Sequence, residues 1–355
     1  MNKLFLDGSK LFHHLDEVVK WQQKKPFPPI HVEVSPTSAC NHRCQFCYAD
    51  HGGHEKNFIP DNTLLTLMED MGTMGVKSCL FAGDGEPLLH KKCIEAVRVG
   101  RAAGVDMALN SNGVPFTETM ARQVLPHLTW MRFSIMSSDP AQYALIHGTR
   151  PEDLERAFTN IERAVRIKHE EKWSVTLGIQ QVLLPENGNT VAELAKRARE
   201  IGVDYYVLKP FSQHPANRYQ GGDPLSLVER FAEQVESIQA LSTDSFTAIF
   251  RRATFSDNGE RDYDRCLGLP FIGQIAGDGK VYACCPFFGD ARFCYGDLRT
   301  TRFPEIWYGQ QARETQQWIA RDWDVRTNCM SYCRHHQINK LLWKQTHPPD
   351  HINFI

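Results

Sequence analysis

The sequence predicts an α/β fold: a partial (β/α)6 TIM-like barrel followed by a small C-terminal α+β domain. Two observations predict it. Between residue 30 and about residue 210, six strand-like stretches alternate with helix-like ones, the pattern of a parallel sheet with helices between its strands. From residue 261 the pattern changes to short strands, glycine turns and cysteines. Six repeats are too few to close an eight-stranded barrel. The sheet is therefore expected to stay open, with its site in the loops at the C-terminal ends of the strands.

The elements follow in order. MNKLFLDGSKLFHHLDEVVKW reads as an amphipathic helix; it lacks the apolar stretch and small-residue cleavage site of a signal peptide. IHVEVSP (30–36) is the first strand, and TLLTLMEDMGTMG (63–75) is a helix closed by glycine. KSCLFAGDG (77–85) is a buried strand entering a glycine-rich turn, and KKCIEAVRVGRAAG (91–104) is a helix, again closed by glycine. VDMALNSNG (105–113), WMRFSIM (130–136), WSVTLGIQQVLL (173–184) and DYYVLKP (204–210) are the remaining strands, with helices near 116–126, 151–169 and 188–201. SQHPANRYQGGDP is loop-like, and a helix is expected near 225–241. The expected organisation is a helical extension over 1–29, the barrel over 30–215, a linker with a helix over 216–260, and the cysteine-rich domain over 261–355.

Of the 355 residues, 42% are apolar, and the formal charge is −2. A nucleic-acid binder should carry a basic face, so that class is disfavoured. No apolar run reaches the roughly 18 residues that read as a membrane span, and a cytoplasmic protein is expected. In a reducing compartment the eleven cysteines point to metal rather than disulfides. They form two groups, Cys40, Cys44 and Cys47, and Cys266, Cys284, Cys285, Cys294, Cys329 and Cys333, while Cys79 and Cys93 stand apart. Two metal sites are expected.

The first group lies in SACNHRCQFCY (38–48), just after the first strand. Three thiolates can hold a four-iron cluster by three irons and leave the fourth open. Structural zinc wants a closed set of four, for which His42 is the alternative ligand. Cys40-x3-Cys44-Gln45-Phe46-Cys47 resembles the hallmark of the radical S-adenosylmethionine (radical SAM) enzymes. The resemblance implies a [4Fe–4S] cluster on Cys40, Cys44 and Cys47 whose open iron is chelated by SAM. One-electron reduction then cleaves SAM and yields a 5′-deoxyadenosyl radical that takes a hydrogen atom from an unreactive C–H bond. Phe46 would pack near the adenine.

Further stretches carry the same resemblance. Gly83-Asp84-Gly85-Glu86-Pro87 is similar to the family's ammonium-binding turn, where backbone carbonyls and the acidic side chain hold the methionyl group. Asn110 and Asn112 at the end of the third strand, and Ser134 in the fourth, match places used for the SAM carboxylate and ribose. Met136 stands where the family often has an acid, so Gln180 or Gln181 is expected to help instead.

In the second group, Asp278-Gly279 with strand-like flanks is a hairpin signal between Cys266 and Cys284. The segment resembles the C-terminal extension called SPASM, and more closely its shortened form called twitch. The resemblance implies one auxiliary [4Fe–4S] cluster on Cys266, Cys284, Cys329 and Cys333, with Cys285 or Cys294 as a substitute ligand. A fully ligated cluster suits electron transfer; structural zinc on the same thiols is the alternative.

For the substrate pocket, the sixth strand runs into Lys209, Ser212, Gln213 and His214, and Glu33 points from the first. This polar set suits a small polar substrate: a carbohydrate, an aminocyclitol or a similar molecule. Cys285 and Cys294 are candidates to return a hydrogen atom to a carbon radical; the plainer reading is a buried apolar role. The expected reaction is dehydrogenation, if an electron leaves through the auxiliary cluster, or epimerisation, if a thiol quenches the radical. A flavodoxin- or ferredoxin-type reductant is the implied partner. Modification of a ribosomal peptide is the alternative, made less attractive by the short segment before the first strand.

Overall fold

The fold is known from a computed structural model, which describes residues 8–49, 55–256 and 260–354. All six expected strands form: β1 (His31–Val34), β2 (Ser78–Phe81), β3 (Asp106–Ser111), β4 (Leu128–Ser134), β5 (Thr176–Leu183) and β6 (Tyr205–Pro210). They pair in parallel in sequence order. Between them run α2 (Asp61–Met74), α3 (Cys93–Ala102), α4 (Glu118–Val124), α5 (Pro140–His147), α6 (Glu152–Glu170) and α7 (Val191–Ile201). α2 stops at Gly75, whose φ of 85° is left-handed and natural only for glycine. The N-terminal helix α1 covers Leu15–Gln22; residues 1–7 of the expected extension lie outside the described residues.

Strand alternation sorts the side chains into two faces. Val32 and Val34, Cys79 and Phe81, Met107 and Leu109, and Met131 and Phe133 point outward and form one core with the helices. Cys79 and Cys93 are fully buried there and act as small apolar residues. The opposite parity, which includes Glu33, Asn110, Arg132, Ser134, Gln180 and Lys209, faces the barrel axis. The register aligns it, with Asn110 beside Arg132 and Ser134 beside Gln180.

The sheet extends beyond the expected barrel at both edges. Thr247–Phe250, inside the segment expected as a linker, forms β7 and pairs in parallel with β6. β8 (Ile272–Ile275), from the cysteine-rich segment, pairs in parallel with β1. β9 (Lys280–Tyr282) and β10 (Cys294–Asp297) add the antiparallel hairpin and complete a ten-stranded sheet. The expected helix near 225–241 is broken into Pro224–Arg230 and Ala232–Ser237.

The C-terminal segment is thus continuous with the barrel sheet. The N-terminal segment packs on the C-terminal one, with Leu11 ahead of α1 and Val18 within it clustering with Phe271, Ile272 and Leu342. On the outside, buried Asp70 of α2 receives Arg302 Nε at 3.0 Å and the Phe303 amide at 3.3 Å. A charge-assisted pair of this kind fixes geometry.

Candidate active site

The loop after β1 carries Cys40, Cys44 and Cys47, and its neighbours hold it by backbone bonds. Arg43 N donates to His147 O at 2.9 Å, Gln45 N to Ile146 O at 3.0 Å, and Glu86 N to Ala39 O at 2.9 Å. The loop therefore rests on the C-terminus of α5 and on the turn after β2. Two glycines permit this. A Cβ on Gly85 would lie 2.2 Å from Thr37 O, and Gly148, at φ 55°, would place one 2.3 Å from Arg43 O.

The three thiols feel one another. Burial, then the charges of Cys47 and Cys40, push the Cys44 thiol well up. Burial raises Cys40 to about 11. Three crowded, desolvated thiols become favourable as thiolates when a cation holds them, and the donor set fits an iron–sulfur cluster with an open position.

His42, Cys44 and His147 also bring ligand atoms within 4.8 Å of one another, a candidate metal-binding trio different from the zinc alternative of the three loop cysteines with His42. The tautomer of His147 argues against it. Met136 N–H donates to His147 Nε2 at 3.2 Å, so the ring proton is on Nδ1. Nδ1 lies 3.3 Å from Cys44 Sγ. His147 is thus an N–H donor to sulfur, with no lone pair left for a metal.

In the turn after β2, Asp84 Oδ1 accepts from Gly277 N at 3.2 Å. Glu86 is buried; Leu88 N donates to Oε1 at 3.2 Å and Asn112 N to Oε2 at 2.8 Å. The acidic side chain expected to meet a ligand ammonium instead ties the turn to the end of β3. Burial pushes its carboxyl up to about 7, against the opposing hydrogen bonds from Asn112, Leu88 and Ser111.

The sign for stability follows. At Glu86 the folded protein keeps a proton that the unfolded chain releases near pH 4.5, so this group's own contribution to stability is fullest below that pH and is lost as pH rises to about 7. From Glu86 alone a loss of about 2–3 kcal/mol between about pH 5 and pH 8 is expected, read as the difference between the parent protein and Glu86→Gln. Thermal unfolding across that range should show it, with a flatter profile in Glu86→Gln.

Asn112 bridges to the cysteine loop, its Nδ2 donating to Asn41 Oδ1 at 2.8 Å. Asn110 faces the barrel with a buried Oδ1 that has no partner among the described residues. Ser134 and Gln180 are adjacent on the inner face. Gln181 faces outward, bonded to Met136 O at 2.9 Å and to the Tyr206 hydroxyl, which leaves Gln180 as the inner glutamine. Phe46 packs edge-on to His147 at 5.9 Å.

Cys266, Cys284, Cys329 and Cys333 line one cavity, with Leu269, Phe287, Phe293 and Ile319 among its apolar walls. Trp323 Nε1 donates to Cys329 Sγ at 3.3 Å and Asn339 Nδ2 to Cys266 Sγ at 3.5 Å. Four thiols around one space, two already receiving N–H bonds, fit a fully ligated cluster.

The other expected residues separate. Cys285 hydrogen-bonds to Cys284 and lies within electrostatic reach of Tyr48, on the side of the second group nearer the loop. Cys294 sits on the outer hairpin, 3.7 Å from Gly296 O and near Lys280 and Asp278, so the structure does not bring it to the barrel. His214 is buried against Phe287 at 5.7 Å and accepts from Ala216 N. It belongs to the seam between barrel and C-terminal segment. Gln213 closes the same seam, its N and O bonded to Ser331 at 2.9 and 3.0 Å. Lys209 and Glu33 face the barrel. Burial acts to raise the Glu33 carboxyl, but Arg334, His31 and Gln274 outweigh it and hold it at about 2.

Tyr48 was not read from the sequence. Its hydroxyl lies within electrostatic reach of Cys285, Asp84, Cys47 and Glu33, and burial pushes its pKa well up. An aromatic directly after the last loop cysteine was the available signal.

Comparison with known proteins agrees with this arrangement. Residues 34–198 match the model of the radical SAM superfamily, and residues 269–335 match SPASM, an iron–sulfur cluster-binding domain. A GTP 3′,8-cyclase of Chlorobaculum tepidum is 26% identical over 223 residues, 61% of this chain and 64% of that protein, so the match spans less than two thirds of the relative. A tungsten-containing aldehyde ferredoxin oxidoreductase cofactor-modifying protein of Pyrococcus furiosus is 24% identical over 305 residues, 79% of this chain and 81% of that protein. Streptococcus suis SuiB bound to S-adenosylmethionine superposes with a TM-score of 0.66 at 15% identity, over 89% of this chain and 75% of SuiB. The chain belongs to the radical SAM superfamily, with a SAM-binding [4Fe–4S] cluster in its barrel and a C-terminal SPASM-type iron–sulfur domain.

Proposed function

We propose that this enzyme abstracts a hydrogen atom from a C–H bond of a small polar substrate held on the barrel's inner face, and completes a dehydrogenation or an epimerisation. The observation that carries this reading is the junction at Tyr48. There one hydroxyl lies within electrostatic reach of the radical-loop cysteine Cys47, the barrel acid Glu33 and Cys285 beside the second cysteine group.

When bound, the loop cluster and SAM supply one-electron chemistry that ends in hydrogen-atom abstraction, with 5′-deoxyadenosine as coproduct. Cys40, Cys44 and Cys47 hold the cluster, and the His147 N–H stabilises the Cys44 thiolate. The turn 83–87 and Asn112 shape the methionyl site; Ser134, Asn110 and Gln180 present polar groups inside the barrel. Phe46 offers the adenine an aromatic edge. Cys266, Cys284, Cys329 and Cys333 hold the auxiliary cluster, and a flavodoxin- or ferredoxin-type protein supplies the electron.

The second step decides the product. Loss of an electron and a proton from the radical at a carbinol carbon gives a ketone, and the auxiliary cluster that Cys266, Cys284, Cys329 and Cys333 would hold would supply the electron acceptor. A hydrogen atom from the Cys285 thiol gives an epimer and leaves a thiyl radical, which one electron from the flavodoxin- or ferredoxin-type reductant and a solvent proton would return to the thiol. The curated relatives favour a small molecule, since by their names one acts on GTP and another on a cofactor. A peptide is the second reading, because SuiB also superposes in its complex with precursor peptide SuiA.

Incubation of reduced enzyme and SAM with candidate sugars and aminocyclitols in deuterated water tests this. Solvent deuterium on carbon means epimerisation, and loss of two hydrogens means oxidation. No change in any candidate, with a mass change in a peptide, would replace this reading with the peptide one.

A further inference from the structure

The barrel's inner wall carries more positive charge than the protein itself neutralises. Arg132 of β4 and Lys209 of β6 face the axis. Phe250 pairs with Leu208, so Arg251 follows directly beside Lys209, on the same face as Tyr205, Val207 and Ile249. Arg334 enters from the C-terminal segment. One acid, Glu33, stands among them, and it is taken: Arg334 pairs with it and Gln274 Nε2 donates to it at 3.1 Å.

That leaves Arg132, Lys209 and Arg251. Among the described residues none of the three has an ion-pair partner, and the buried Nε of Arg132 has no hydrogen-bond acceptor. The Arg132 guanidinium rests on Trp130 at 5.3 Å. Burial, then repulsion by Arg132, Arg251 and Arg334, lowers the Lys209 ammonium to about 7; burial and the same repulsion lower Arg251 to about 10. The chain as a whole has a formal charge of −2, so this is a local concentration inside the pocket.

Desolvated cations without counter-ions are costly. Two guanidinium forks and an ammonium on one face of the sheet, near enough to repel one another, match the charge and hydrogen-bonding needs of an oxyanion. We propose that the wall formed by Arg132, Lys209 and Arg251 is an oxyanion-binding subsite, and that the substrate carries a phosphate ester or a carboxylate that docks there. This rests on the barrel being the substrate pocket. The subsite lies on the β4, β6 and β7 side, whereas the turn 83–87 and Asn112 lie at the ends of β2 and β3. Arg132 stands beside Asn110, so the subsite begins next to the SAM side of the barrel and extends away from it to Lys209 and Arg251.

The test uses the reconstituted enzyme with both clusters and SAM, titrated calorimetrically with inorganic phosphate and separately with malonate, in a buffer free of both. Saturable binding of at least one is expected, and the tighter of the two tells a phosphate ester from a carboxylate. Lys209→Gln and Arg251→Gln should each weaken it by about tenfold or more. Lys209→Arg should restore it, and SAM affinity should hold in all three. Iron content shows that the variants are folded and loaded.

The proposal is overturned if neither anion binds, or if the glutamine variants bind as well as the parent protein. It is equally overturned if they lose SAM affinity by a similar factor, since the cations would then serve the carboxylate of SAM. Formation of 5′-deoxyadenosine by the parent enzyme with dithionite reports on the radical reading separately.

Discussion

Cys44→Ala is expected to lower 5′-deoxyadenosine formation from SAM and dithionite by about three orders of magnitude or more. Cys44 is the thiol that both other loop cysteines act on and the one that receives the His147 N–H. Its removal leaves two thiols and an unpartnered buried donor, too few ligands for a site-differentiated cluster. Reconstituted parent protein should hold about eight irons per chain, two clusters of four. The variant should retain about four, because the second cavity is built from other residues. Iron analysis with quantified 5′-deoxyadenosine checks both. Undiminished cleavage in the variant would remove the loop from the mechanism.

The complementary change is Cys284→Ala. It should remove the auxiliary cluster, reducing iron to about four while leaving SAM cleavage in place. Product formation should fall by about two orders of magnitude if the substrate radical is oxidised through that cluster. It should fall far less if Cys285 quenches the radical, so one variant also separates the two outcomes. The thermal midpoint should drop as well, because a cluster bound only by the folded chain contributes its binding energy to folding. One equivalent of zinc in place of four irons in the parent protein would establish a structural site.

Much of this centre is local in sequence and hence legible there. Cys40, Cys44 and Cys47 lie on one loop, so their spacing alone states the donor set. Gly83–Pro87 and the asparagines of ALNSNG sit at strand ends that the apolar runs mark out. The four auxiliary thiols are implied by the resemblance to SPASM and twitch, with Cys285 or Cys294 left open as a substitute. Glu33 and Lys209 could be named as pocket candidates from their places on the first strand and at the end of the sixth.

What was not legible is non-local. TAIF (247–250) is a four-residue strand, too short for periodicity to declare; it exists because the open edge of β6 offers it a ladder. β8 pairs with β1 across some 240 residues, a choice made by the other open edge. Gln180 and Gln181 could not be separated before register assigned one to each face. Cys285 and Cys294 looked alike as spare thiols. Only the turn of the β9–β10 hairpin sends one toward Tyr48 and the other to the outer edge.

The sequence by itself determined the three-cysteine loop and the six-strand alternation, because each depends on residues close together along the chain, whereas the four auxiliary thiols, spread over residues 266–333, came from the family resemblance. The tertiary structure decided what surrounds them. It decided that the cysteine-rich segment continues the barrel sheet, that Arg334 takes the one inward acid, and that Arg132, Lys209 and Arg251 are left to share one wall. Those facts depend on which strands become neighbours, and pairing between distant segments is settled by sheet edges, register and burial rather than by any local pattern.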